Sequence, residues 1–213
     1  MFTGIVQGQA EIVGVEHEEG LARVRVALGP EMSAGLERGA SVSLSGVCLT
    51  AVDIRDDGVV RFDMIAETMA RTTLGALKAG SMVNIERAAK YGDEIGGHAV
   101  AGHVTAVGEI VSIERPDHNR VVTIRVAPDQ IKYIFHKGYI ALDGCSLTVV
   151  GVDRGAGTFA VHLIPETLEV TTFGGRELGE RINVEVDPQT VAVVDTVEAV
   201  LADRLEEMED RAR

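Results

Sequence analysis

The sequence predicts an all-β fold: two tandem β-barrels related by internal duplication, followed by one amphipathic α-helix. Three observations carry that expectation. Blocks of sequence recur at a shift of 98 to 99 residues, short Val/Ile/Thr runs are cut by glycine within each copy, and the apolar spacing changes after Asp187.

The duplication starts near the N-terminus. GIVQGQAEIVGVE from Gly4 aligns with GHVTAVGEIVSIE from Gly102, so that Glu11, Ile12 and Val13 match Glu109, Ile110 and Val111. GVCLTAV from Gly46 then matches GCSLTVV from Gly144, and MIAETMARTTLG from Met64 matches LIPETLEVTTFG from Leu163. VNIE from Val83 and INVE from Ile182 complete the series. The one-residue drift in shift places the length differences in turns such as Asp56-Asp57-Gly58 and Arg154-Gly155-Ala156-Gly157, where a strand register is not disturbed.

Strand candidates in the first copy are Ala10 to Val15, Arg23 to Ala27, Ser41 to Leu44 and Leu49 to Ile54. Several short strands in so short a unit mean a sandwich or a closed barrel. Closure is favoured, because a small open sheet leaves unpaired edges. Pro30 to Glu37 and Pro128 to Phe135 read as brief helices plugging barrel ends, each followed by a basic residue and a glycine. The expected division is residues 1–97 for the first barrel, 98–187 for the second and 188–213 for the terminal helix.

That helix is predicted from Val191, Val194, Val197, Leu201, Leu205 and Met208, which fall three or four apart. Asp187 with Pro188 suits its start, and Arg211 and Arg213 oppose the negative end of its dipole. The stripe either packs on its own barrel or pairs with another copy, and spacing alone does not decide.

Hydrophobic residues make up 46% of the 213, yet aromatics only 4% with no Trp, so aliphatic side chains must fill the cores. A formal charge of -13 argues against nucleic acid or an anionic membrane surface as partner and leaves a compact neutral ligand open. The start, MFTGIVQGQAE, reads as neither a secretory leader nor an anchor, which points to the cytoplasm. Cys48 and Cys145 stand far apart without a CxxC pattern, as free thiols in a reducing compartment do; no metal site is expected.

No nucleotide loop or hydrolase motif stands out, so the comparison of copies is the better guide. Leu49-Thr50 and Leu147-Thr148 agree between them, whereas Cys48 faces Ser146, Ile5 faces His103 and Asp63 faces His162. Taken singly, each has an ordinary explanation. Cys48 suits a buried small hydrophobe, His103 a structural side chain, Thr50 and Thr148 strand residues, and Glu67-Thr68 and Glu166-Thr167 turns or caps.

In combination, MFTGIV, SGVCLTAV, ERAAKYGDEIGGHAVAGHV, DGCSLTVV, HLIPETLEVTT and INVEVDPQT resemble the riboflavin synthase family, in order and from Met1 to the terminal helix. The resemblance implies six-stranded Greek-key barrels, a homotrimer joined through the terminal helices, and no separate cofactor. It also implies the dismutation of two 6,7-dimethyl-8-ribityllumazine molecules, one per barrel, at a centre where barrels of neighbouring chains face each other. Association with lumazine synthase is left open.

Carried over by position, the first pocket comprises Gly4, Ile5, Val6, Cys48, Leu49, Thr50 and the run Asp63, Met64, Ile65, Ala66, Glu67, Thr68. The second comprises Gly102, His103, Val104, Ser146, Leu147, Thr148 and the run His162, Leu163, Ile164, Pro165, Glu166, Thr167, with Lys137 nearby. His103 is the expected aid to proton transfer, Ser41 or Cys48 the source or positioner of a nucleophile, and Asp187 a neighbouring orienting or accepting carboxylate. Two rival readings are a lumazine- or flavin-binding antenna of the same fold, which turns nothing over, and a structural double-barrel adaptor.

Overall fold

The computed structural model describes residues 1–117 and 119–212. The first barrel is built from β1 (Gly8–Glu18), β2 (Leu21–Ala27), β3 (Ser41–Leu44), β4 (Val47–Ile54), β5 (Val59–Ile65) and β6 (Met82–Arg87). All neighbours are antiparallel and the sheet closes in the order β1-β2-β5-β4-β3-β6. The second barrel repeats it with β7 (Ala106–Glu114), β8 (Arg120–Arg125), β9 (Tyr139–Leu142), β10 (Cys145–Asp153), β11 (Thr158–Leu163) and β12 (Arg181–Val186). The non-sequential order is that of a Greek key.

Strand chemistry explains each wall. In β2 the residues alternate so that Ala22, Val24 and Val26 are buried while Arg23 and Arg25 face outward. β5 opposes it with Val60, Phe62 and Met64 inward. Bulges fall at matched places in the two copies: between Ile12 and Gly14 and between Ile110 and Ser112, and again between Ala51 and Asp53 and between Val149 and Gly151. Bulges bend strands, and a barrel this small needs the bend at fixed points.

The plugs are shorter than the sequence predicts. α1 spans Gly29–Ser33, where Pro30 to Glu37 is expected. Another helical turn, unforeseen in the sequence, is α2 (Ala66–Arg71), running into a 3-10 turn over Thr73–Ala76. The second copy matches with α3 (Pro128–Ile131), α4 (Pro165–Val170) and a 3-10 turn over Thr172–Gly175. The Glu-Thr pairs lie in the first turns of α2 and α4. In each copy a threonine hydroxyl, Thr72 or Thr171, caps the 3-10 turn by accepting from Leu74 or Phe173 N–H at 3.2 Å.

α5 (Pro188–Ala212) begins where the sequence places it, the Asp187 carboxylate accepting from the Gln189 and Thr190 N–H groups at 3.3 and 3.0 Å and from the Thr190 hydroxyl at 2.7 Å. Arg211 lies in its last turn; Arg213 falls outside the described residues. Lys132 Nζ reaches Glu198 at 2.5 Å and Tyr133 OH donates to Asp195 at 2.7 Å, fastening the helix to the second barrel. Only Val191 of the stripe packs on that core; Val197, Leu201, Leu205 and Met208 are more than half exposed.

The barrels meet about an approximate two-fold axis. Asn84 Nδ2 donates to the Asp143 carbonyl at 2.9 Å, and its counterpart Asn183 Nδ2 donates to the Ser45 carbonyl at 2.8 Å. Each amide oxygen accepts from the other barrel, Asn183 from Thr73 N–H and Asn84 from Thr172 N–H, both at 2.8 Å. Four hydrogen bonds from two matched asparagines leave no amide group on them idle.

Candidate functional site

The leading segment of each copy crosses to the other barrel. Ser146 N–H donates to the Gly4 carbonyl at 2.8 Å, and Cys48 N–H donates to the Gly102 carbonyl at 2.9 Å. Val6 joins the core of the second barrel and Val104 packs against that of the first. This corrects the grouping read from the sequence. Gly4, Ile5 and Val6 stand with Ser146, and Gly102, His103 and Val104 stand with Cys48. Repeat alignment identifies equivalent residues but not which copy of the fold they pack against, so the exchange was invisible in it.

Glycine makes the crossing possible. Gly102 has φ +81°, and a Cβ there would lie 2.6 Å from the Cys48 Cβ; Gly4 has φ +74°, and a Cβ there would lie 2.5 Å from the Ser146 Cβ. Buried carboxylates then lock the segments. Glu86 on β6 accepts from Thr3 N–H at 2.5 Å, the Thr3 hydroxyl at 2.7 Å and Gly4 N–H at 3.0 Å. Glu185 on β12 accepts from Ala101 N–H at 2.7 Å and Gly102 N–H at 3.0 Å. Burial raises the pKa of both carboxyls, against the pull of these donors.

A crevice of about 380 Å³ results at the edge of the first barrel, lined by Cys48, Ile65, Glu67, Thr68, His103 and Val104 among others. Its size suits one bicyclic ligand. Thr50 shares the outer face of β4 with Cys48, and Ser41 sits opposite Thr50 on β3, beside the crevice but outside its lining. Asp63 faces outward on β5 opposite Arg23, with Oδ1 3.8 Å from Arg61 Nε, also outside the lining. Leu49, Met64, Leu147 and Leu163 turn into the barrel cores, so they offer a ligand only their backbone groups.

At the second barrel Thr148 shares the outer face of β10 with Ser146, while His162, Ile164, Pro165 and Glu166 are exposed, with Thr167 half-buried behind them. Ala66 is likewise exposed at the start of α2. Lys137 has φ +64°, the place that Gly39 fills in the first copy with φ +91°, and its N–H donates to the Val149 carbonyl at 2.8 Å, as Gly39 N–H does to Ala51. A lysine held in the left-handed region is a strained choice where glycine serves elsewhere. Asp187 is engaged as the α5 cap.

The sequence reading missed Glu86 and Glu185, although the matched VNIE and INVE blocks carried a signal: two polar side chains, repeated in both copies, inside otherwise apolar strands. It also missed Arg71, which lines the crevice, and His98, which lies in the join. A cavity of about 600 Å³ along the barrel seam, lined by Thr73, Leu77 and Arg176 among others, contains none of the candidate residues.

Two like barrels, each crossed by a segment from the other copy, with a crevice where that crossing meets the first barrel, define a duplicated small-ligand protein. The lumazine binding domain matches the chain twice, over residues 3–88 and 101–187. The riboflavin synthase of Escherichia coli K12 is 50% identical over 205 residues, covering 96% of this chain and 95% of that one. The riboflavin synthase of Mycobacterium tuberculosis H37Rv is 45% identical over 188 residues, covering 88% of this chain and 93% of that one. Among solved structures, LumP complexed with riboflavin superposes with a TM-score of 0.81 at 26% identity, covering 88% of this chain and 100% of LumP. LumP complexed with 6,7-dimethyl-8-(1'-D-ribityl) lumazine gives a TM-score of 0.79 at 26% identity over 88% of this chain and 99% of that one. The chain belongs to the riboflavin synthase family.

Proposed function

We propose that the protein is a riboflavin synthase, an enzyme that transfers a four-carbon unit between two molecules of 6,7-dimethyl-8-ribityllumazine to give riboflavin and 5-amino-6-(D-ribitylamino)uracil. The observation that carries this reading is the 50% identity to the E. coli enzyme over 96% of the chain. No separate cofactor enters the scheme, since substrate and product carry the conjugated ring themselves.

One lumazine must lose a proton from its C7 methyl group while the other accepts a nucleophile at C7, so two unlike pockets serve the reaction better than two equal ones. His103 and Cys48 supply that difference at the first crevice: an imidazole for proton transfer and a thiol that adds to C7 or positions a water to do so. Ser41 is the alternative source. At the second barrel Ser146 replaces the thiol and Ile5 the imidazole. Thr50, Thr148, Glu67 and Glu166 bind ring edges or ribityl hydroxyls, Lys137 supplies a cation and Asp187 a carboxylate. Holding both substrates in contact contributes roughly 7 kcal/mol or more by removing the cost of their encounter.

The first crevice of one chain faces the second of its neighbour in a homotrimer. Support for assembly comes from α5, whose stripe residues Val197, Leu201, Leu205 and Met208 are more than half exposed. No described helix is long and apolar enough to cross a membrane, and the two unpaired thiols suit the cytoplasm. Incubating purified protein with 6,7-dimethyl-8-ribityllumazine and following riboflavin by chromatography tests the activity. Tight binding without product would instead support an antenna.

A further inference from the structure

His98 lies on the segment joining the barrels, outside both stretches that match the lumazine binding domain. It is nevertheless 9% exposed and held from three sides. Its N–H donates to the Thr3 carbonyl at 3.1 Å, tying it to the segment that carries Gly4 and Ile5. Its ring stacks on Tyr139 with centroids 5.1 Å apart and planes 17° from parallel. Its Nδ1 lies 2.6 Å from Ser146 Oγ.

The arrangement exists in one copy only. Tyr139 occupies the position that Ser41 holds in the first barrel, so no aromatic platform is present there. Ser146 occupies the position of Cys48, and among the described residues no side chain hydrogen-bonds the Cys48 thiol. Burial holds the His98 imidazole below its ordinary pKa, while the Asp187 carboxylate pulls the other way. An uncharged ring next to a hydroxyl at this distance makes a hydrogen bond of defined direction, whichever of the two atoms carries the proton.

We propose that His98 is a positioning residue for the second half-site: clamped by Tyr139 and the Thr3 carbonyl, it fixes the Ser146 hydroxyl in one orientation on the outer face of β10. The inference rests on the lumazine reading above, and it supplies a physical source for the inequality that the reaction needs. One half-site presents a hydroxyl oriented by a hydrogen bond and the other a thiol that none of the described side chains hydrogen-bonds. A hydroxyl that must find its orientation in each turnover loses part of what a fixed one contributes.

His98→Phe keeps the stack on Tyr139 and removes Nδ1, whereas His98→Asn places an amide atom near the Nδ1 position. In steady-state riboflavin formation, His98→Phe is expected to lose roughly tenfold or more in kcat with a smaller change in KM, the scale of one lost hydrogen bond. His98→Asn should recover most of that loss, and adding His98→Phe to Ser146→Ala should cost nothing further. Wild-type kcat in His98→Phe, or losses that simply multiply in the double variant, would overturn the inference.

Should His98→Phe fail to fold, His98→Asn against His98→Gln reads the same point, because the glutamine amide reaches the Nε2 position instead; equal activity of the two overturns it. A wild-type chain that makes no riboflavin overturns the synthase reading alone. Fluorescence titration with 6,7-dimethyl-8-ribityllumazine then decides, a weakened second site in His98→Phe being expected and identical isotherms counting against His98.

Discussion

Cys48 and Cys145 are the same residue type, one position out of register between the copies, and their surroundings give them opposite chemistry. Cys145 is buried behind the seam, and desolvation, with Glu86 and Asp143 adding to it, pushes its thiol up to about 12. Only the thiolate reacts with alkylating agents, so Cys145 should stay unmodified by iodoacetamide at pH 8 in the folded protein while half-buried Cys48 is labelled. Mass spectrometry of the digested protein reads this, and labelling of Cys145 without denaturant would contradict the packing. Gly102 offers a second check. Gly102→Ala forces a side chain into a left-handed backbone and against Cys48, and it should destabilise the fold by about 2 kcal/mol and displace His103 from the crevice. A thermal midpoint and turnover equal to wild type would show that the crossing tolerates a Cβ. At this scale the sequence was informative about identity and silent about company: the pairing of Cys48 with Ser146 across copies was legible, but the approach of Gly102 to Cys48 depends on a crossing between barrels that local pattern does not encode.

The two crossing segments carry Ile5 and His103 to the opposite barrels, and their geometry is held by buried carboxylates as well as by glycine. Glu185 accepts from Ala101 and Gly102 while buried, and burial raises its pKa above that of an unfolded glutamate. The folded state therefore holds the proton more tightly. Its contribution to stability is fully present below the ordinary glutamate pKa and falls as pH rises to the higher folded value, after which it is flat. Denaturant unfolding of wild type and Glu185→Gln across that range should give a stability difference moving against wild type as pH rises through this window. A difference independent of pH would remove the raised pKa. Strands were legible because alternation in runs such as LARVRVA is set by burial of one face, and Asp187 was legible as a helix start because capping is local. The short helices α2 and α4 were not. Their six residues carry no full apolar period, and the barrel mouth they cover decides their shape.

At the scale of the whole molecule the copies join by matched asparagines but differ in one buried pair. Asp143, 0% exposed, accepts from Asn183 N–H at 2.9 Å and pairs with Arg176, whereas the equivalent places in the first copy hold Ser45 and Leu77. Arg176→Leu leaves a carboxylate buried without its cation and should cost about 3–5 kcal/mol. Adding Asp143→Ser reproduces the first copy's chemistry and should recover most of that loss, which equilibrium unfolding of the single and double variants measures.

Beyond the barrels, α5 projects an apolar stripe that is more than half exposed at Val197, Leu201, Leu205 and Met208, on a protein whose charge of -13 otherwise favours dispersal. Spacing in the sequence left two uses for that stripe; Val191 packs on the second barrel and Lys132 and Tyr133 hold Glu198 and Asp195, while Val197, Leu201, Leu205 and Met208 are more than half exposed. If those residues join chains, the crevice holding Cys48 and His103 meets the one holding Ser146 only in the assembled protein. A chain ending at Gln189 should then keep both barrels folded and still bind lumazine, yet sediment as a smaller species and lose nearly all turnover. Activity per chain in the truncated protein should rise with protein concentration, because barrels that no longer share a tether must find each other by diffusion. A truncated chain that sediments like the intact one, or that turns over at full rate when dilute, would contradict a reaction centre built between chains.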